Sequence, residues 1–178
     1  MNIKIVYYGA GMSGKTTNLE YIHLITNPKA KPGATSPSGD KERRRIFDYL
    51  PVSMKKLSIN LQLFSVPGQV FCADSAQRIL GSVNGVVFVV DSRRSRLDAT
   101  LESFDNLMTN LKEMNLLSTP LVLQYNKRDA LDVFSIIELE NMFNSNQIPC
   151  FEAIATSGVG VFETLKCVTK LILRHVKD

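Results

Sequence analysis

Cysteine and histidine are scarce in this chain of 178 residues, which holds three of the first and two of the second. Cys72, Cys150 and Cys167 are widely spaced and odd in number. That excludes a disulfide framework and a cysteine metal cluster, and it suits a reducing compartment. His23 and His175 stand alone on predicted helices, so each reads as a surface or core residue rather than a ligand. No apolar run approaches the ~18 residues of a membrane-spanning helix. The opening MNIKIVYYG is too short and wrongly flanked for a signal peptide and lacks a glycine for myristoylation, and HVKD is no prenylation site. The expectation is a cytoplasmic chain with no integral membrane segment. Internal repeats and dividing linkers are also missing.

What remains is close to the average soluble domain: 44% hydrophobic and 21% charged residues, with a formal charge of +4. The length suits one well-cored domain. Part of the charge lies in KERRR, Lys41 to Arg45, which reads as a solvated face. No aromatics interleave with it, so no nucleic-acid partner is expected.

Strand and helix patterns alternate. Ile3 to Tyr8 is a short apolar run, and Lys15 to Ile25 reads as a helix. Asn27 to Asp40, rich in Pro, Gly, Ser and Thr, is a long loop of the kind that tends to be functional. Phe47 to Met54 and Leu57 to Ser65 read as strands joined by a hairpin at Lys55-Lys56. GVVFVVD, Gly85 to Asp91, has the continuous apolar character of a strand buried on both faces. Leu97, Leu101, Phe104, Met108 and Leu111 recur at helical spacing. A strand at Pro120 to Tyr125, a helix at Ile136 to Phe143, a short strand near Pro149 to Ala153 and a helix with Val161, Leu165, Val168 and Ile172 follow. This order predicts an α/β fold, a mostly parallel sheet covered on both faces. Ligands then bind at the carboxyl ends of the strands.

The motifs lie there. GAGMSGKT, Gly9 to Thr16, fits G-x-x-x-x-G-K-[ST] between a strand and a helix. In such a loop (Gly9, Ala10, Gly11, Met12, Ser13, Gly14) backbone N–H groups converge on a polyphosphate at a helix N-terminus. Lys15 supplies a cation to the β- and γ-phosphates, the Thr16 hydroxyl completes a Mg²⁺ shell, and Thr17 opens the helix beside them.

Asn126-Lys127-Arg128-Asp129 follows directly on a strand. A carboxylate at Asp129 can accept both N1–H and the exocyclic amine of guanine, a donor pair that adenine lacks. Asn-x-x-Asp is also ordinary turn chemistry; its distance after a phosphate loop favours the base. LFSVPGQVF, Leu63 to Phe71, breaks from a strand at Pro67-Gly68, a common turn dipeptide.

GAGMSGKT, SVPGQ and NKRD, in this order, resemble the guanine-nucleotide-binding set of Ras-like small GTPases. KIVYYGAGMSGKTTNLEYI, IFDYLP, FSVPGQVF, GVVFVVDS and QYNKRD are similar, more narrowly, to the bacterial MglA GTPases of polarity and gliding motility. The resemblance implies a Ras-like P-loop GTPase fold with a six-stranded mostly parallel sheet and helices on both faces. It implies one G domain over residues 1–178, binding GTP and GDP with Mg²⁺. By the same alignment Ala155, in Ile154-Ala155-Thr156, offers its N–H to the guanine O6. Ser65 takes the place of a metal-linked carboxylate, Gly68 senses the γ-phosphate, and Gln69 orients the attacking water. Pro67-Gly68 is then a switch loop rather than a hairpin.

Two departures stand out. The usual carboxylate is Ser65, although a hydroxyl there is the habit of the MglA group. Arg43 falls on the position of a built-in arginine finger, but Arg44 stands where a Mg²⁺-binding threonine is expected. A guanidinium has no lone pair for a metal, so Thr35, Ser36 or Ser38 takes over, or the shell is incomplete, or Arg44 contacts the γ-phosphate. A solvated arginine loop is the plain alternative.

The expected function is a GTP/GDP switch that hydrolyses slowly until activated. The resemblance implies a roadblock-type MglB-like activating protein, polarity or motility effectors, and recruitment to a cell pole. Loops Asn27 to Ile46 and Val66 to Leu80 would order around the γ-phosphate. The rivals are a GTP-loaded adaptor that hardly hydrolyses, favoured by Ser65 and Arg44, and a nucleotide kinase or ATPase, for which Asp129 has no use.

Overall fold

Alternating apolar positions along the first strand dictate two cores. In the computed structural model, which describes residues 1–27, 48–54, 58–66 and 73–176, β1 (Asn2–Tyr8) lies inside the sheet. Its Ile3, Ile5 and Tyr7 face one side, and Val6 and Tyr8 the other, all fully buried. Successive side chains on a strand point to opposite faces, so a strand covered on both sides must be apolar throughout. β4 (Gly85–Asp91) shows the same division, Val87 and Val89 against Val86, Phe88 and Val90.

The remaining strands are β2 (Asp48–Met54), β3 (Ile59–Ser65), β5 (Leu121–Asn126) and β6 (Cys150–Glu152). The sheet has six strands in the order β2-β3-β1-β4-β5-β6. Only β2 and β3 pair antiparallel, from Asp48↔Ser65 to Met54↔Ile59. The expected hairpin is therefore present, while Lys55-Lys56 themselves lie outside the described residues.

Helices α1 (Lys15–Thr26) and α5 (Val161–His175) cover one face. Leu19, Ile22, Val161, Leu165, Val168 and Ile172 are buried there at helical spacing. A Cβ on Gly85 would stand 2.6 Å from Ile172, so the α5 contact requires the missing side chain. The other face carries α2 (Ala73–Leu80), α3 (Leu97–Glu113) and α4 (Ile136–Phe143). Phe104 sits edge-on to Phe88 at 4.9 Å and to Phe143 at 5.6 Å, tying α3 and α4 to β4. Each such ring removes 150–250 Å² from water, roughly. The Ser135 side chain accepts from the Glu138 N–H, and Glu138 returns a bond to the Ser135 N–H, closing a capping box at the start of α4.

One element departs from the expectation. Val66 to Leu80 reads from sequence as a loop, but Ala73–Leu80 is helical. Ile79 and Leu80, at its end, are buried in the second core. Eight residues are too short a window for a helical period to be read from sequence.

Parallel pairing brings the carboxyl ends of the strands to one edge. Tyr7 pairs with Ser65, Tyr8 with Phe88, Asp91 with Asn126, and Tyr125 with Glu152. The loop after β1, Ser65 at the end of β3 and Asn126 at the end of β5 therefore share this edge.

Candidate functional site

The turn after β1 is built for close backbone approach. Gly9 has φ +147°, and a Cβ there would lie 2.4 Å from the Val89 carbonyl oxygen. Met12 is left-handed at φ 66°, and Gly14 has φ +103° at the start of α1. The Ser13 N–H donates to the Ala10 carbonyl at 3.2 Å and closes the turn. Buried Lys15 folds back, its Nζ donating to the carbonyls of Gly9 (2.9 Å) and Ala10 (2.6 Å). Thr16 is exposed and Thr17 half-buried at the N-terminus of α1. A helix N-terminus beside an ammonium is an anion site.

Asn126, at the end of β5, joins this loop to the last one. Its Nδ2 donates to the Ser13 carbonyl at 2.7 Å, and its Oδ1 accepts from the Ala155 N–H at 3.0 Å. The Ala155 N–H, read from sequence as a donor to the base, is thus engaged by Asn126 here. Lys127 takes a left-handed φ of 65°. Arg128 turns outward, Nε to Glu152 at 3.0 Å and a terminal nitrogen to the Phe134 carbonyl at 2.7 Å, which fixes the segment between Lys127 and Asp129.

Sequence reasoning assigned no role to Asp91, yet it organises this edge. Its fully buried carboxylate accepts Arg93 Nε at 2.9 Å and a terminal guanidinium nitrogen at 2.7 Å. Lys127 Nζ stands 3.7 Å away. Burial pushes the Asp91 pKa up, but the Arg93 hydrogen bonds and the charges of Lys127 and Arg93 outweigh it and hold it below the ordinary value. A carboxylate ending a wholly apolar strand, with Arg two residues on, was the available signal.

A second group was also missed. Gln124 lies fully buried in β5, exchanging both amide bonds with Asn18 of α1 (2.8 and 3.0 Å) and donating to Thr164 of α5 at 3.1 Å. Asn18 also donates to the Gly14 carbonyl at 2.9 Å, so the network reaches the phosphate loop. A glutamine inside PLVLQY was its trace in the sequence.

Ser65, at the end of β3, is buried beside Tyr7 of β1, two residues before Gly9. Gly68, Gln69 and Arg43 lie outside the described residues, as do Arg44, Thr35, Ser36 and Ser38. Among the described residues no three His, Cys, Asp or Glu side chains cluster to hold a metal. Hydroxyls are carried in and just after the loop by Ser13, Thr16 and Thr17, and by Ser65 at the end of the neighbouring β3.

These parts enclose a cavity of about 370 Å³. Met12, Gly14, Lys15, Thr16 and Thr17 of the first loop and α1 line it together with Asn126, Lys127, Asp129 and Ala155, beside Arg93. The lining thus joins an ammonium at a helix N-terminus, as a polyphosphate needs, to the Asp129 carboxylate, as guanine needs.

Comparison with known proteins agrees. The model of the Arf family, described as the ADP-ribosylation factor family, matches residues 1–172. The chain is also 44% identical over 182 aligned positions to the mutual gliding-motility protein MglA of Myxococcus xanthus (strain DK1622), covering 99% of this chain and 93% of that protein. The chain belongs to the Arf-type, Ras-like small GTPases and, among them, to the MglA family.

Proposed function

We propose that residues 1–178 act as one G domain, a GTP/GDP switch in gliding motility or cell polarity, working in the cytoplasm and recruited to a cell pole. The observation that carries the nucleotide assignment is the Asn126 clamp, which fixes the phosphate loop and the Asp129 segment around one cavity. Gly9 to Gly14 wrap the β- and γ-phosphates with backbone amides. Lys15 leaves the Gly9 and Ala10 carbonyls for the phosphate oxygens, a charge-assisted exchange. Asp129 accepts N1–H and the exocyclic amine of guanine, and Ala155 closes over the base edge.

Mg²⁺ fits the donor set. The hydroxyls of Thr16 and Ser65 would hold it together with phosphate oxygens and water, the all-oxygen surroundings this ion prefers, and it ordinarily binds through few protein groups. When bound, it would supply neutralisation of the phosphate charge. Gln69 orients water for in-line attack, Gly68 reads the γ-phosphate, and Arg43 stabilises the developing charge. Hydrolysis by the chain alone is slow, and a roadblock-type MglB-like partner accelerates it. Motility or polarity effectors read the GTP state.

A second reading rests on Ser65, which puts no negative charge beside the metal, and on Arg44. It is a GTP-loaded adaptor. Single-turnover hydrolysis of preloaded GTP with Mg²⁺, with and without the roadblock-type partner, separates the two. Acceleration by orders of magnitude supports the switch; intact GTP in both samples supports the adaptor.

A further inference from the structure

The three arginines of the segment after β4 have separate partners. Arg93 is held by Asp91, and Arg94 chelates Glu138 with both contacts at 3.0 Å. Arg96 instead crosses to the phosphate loop, where a terminal guanidinium nitrogen donates to the Gly11 carbonyl at 2.9 Å. We infer that Arg96 is a positioning residue for phosphate binding: it holds the Gly11–Met12 peptide with the Met12 N–H turned toward the phosphates. The inference rests on the nucleotide reading of the cavity and names a residue which that reading does not use.

In a trans peptide the carbonyl and the following N–H point in opposite directions. Anchoring the Gly11 carbonyl on Arg96, just before α3, therefore aims the Met12 N–H the other way. Met12 lines the cavity and Arg96 does not, so the anchor lies on the outer side of the loop and the freed donor on the inner side. Met12 is left-handed at φ 66°, a conformation that a side chain bearing Cβ adopts only when its surroundings impose it. Arg96 supplies that constraint.

Arg96 is itself held rigidly. Its N–H donates to the Arg93 carbonyl at 3.0 Å, and its carbonyl accepts from the buried Thr100 hydroxyl at 2.7 Å. Its Nε is buried with no partner among the described residues. A buried donor left unpaired is costly, so packing alone does not account for an arginine here. The Gly11 bond does.

The test compares Arg96→Met, which keeps the length and apolar stem without a donor, with Arg96→Lys, which keeps one. GDP, GTP and GMP compete against a fluorescent GDP on the full chain with Mg²⁺, and each variant's melting temperature is recorded. Expected for Arg96→Met is about a tenfold loss for GDP and GTP, the factor for one hydrogen bond, with GMP within about twofold. Arg96→Lys restores most of the loss. Parent-like GDP and GTP affinities in Arg96→Met overturn the inference. So does a GMP loss equal to that of GDP, or a failure of Arg96→Lys to differ from Arg96→Met. If the parent binds none of the three, the nucleotide reading falls first.

Discussion

Asn126 Nδ2 lies 2.7 Å from the carbonyl oxygen of Ser13, across 113 residues of sequence. A Cβ on the next residue, Gly14, would come within 2.2 Å of that same nitrogen. The base loop and the phosphate loop are therefore one object, held by an amide that tolerates only glycine opposite it.

Asn126→Ala should damage both loops together. The Ser13 carbonyl and the Ala155 N–H each lose their partner, at roughly 1–3 kcal/mol for a buried group left unpaired. Thermal melts should fall, and GDP affinity should fall with them. A variant melting like the parent would show the clamp to be incidental.

Gly14→Ala meets φ +103° and the contact with Asn126. The backbone alone should cost about 1–3 kcal/mol. Because relief comes most easily by displacing Asn126, calorimetry should show GDP binding lost more completely than stability.

Asp129→Asn exchanges an acceptor for a group with one acceptor and one donor. Guanine then meets a mismatched amine, whereas xanthine presents a carbonyl that the new amide can reach. GTP affinity should drop by up to roughly 10⁴-fold while that for xanthosine triphosphate rises. Competition titration reads both, and an unchanged GTP preference would remove Asp129 from the base site.

The depressed Asp91 pKa carries a pH signature. Its folded value lies below the ordinary 3.8, so its stabilisation is fully present above pH 3.8 and is lost as pH falls through the lower folded value. Urea unfolding of the parent and of Asp91→Asn should differ by a constant amount from pH 7 to pH 5. The difference should close below 3.8.

Cys150 donates its thiol to Glu140 at 2.9 Å, and burial followed by that carboxylate pushes its pKa up to about 12. The reactive thiolate is therefore scarce at pH 8. Maleimide labelling followed by mass spectrometry should find Cys150 far slower than an ordinary thiol, and Glu140→Gln should speed it.

The sequence by itself determined the alternation of strands and helices, the hairpin of β2 and β3, and the motifs that follow β1 and β5, since each rests on local periodicity or on a short contiguous pattern. It could not show α2, whose eight residues are too short a window for a helical period to be read. It also could not show which polar residues mattered inside apolar strands. Asp91, Gln124 and Asn18 take their meaning from partners on other elements, and Arg96 takes its own from a carbonyl 85 residues away. A buried polar group is fixed by whatever satisfies it, and only the folded chain brings that partner within reach.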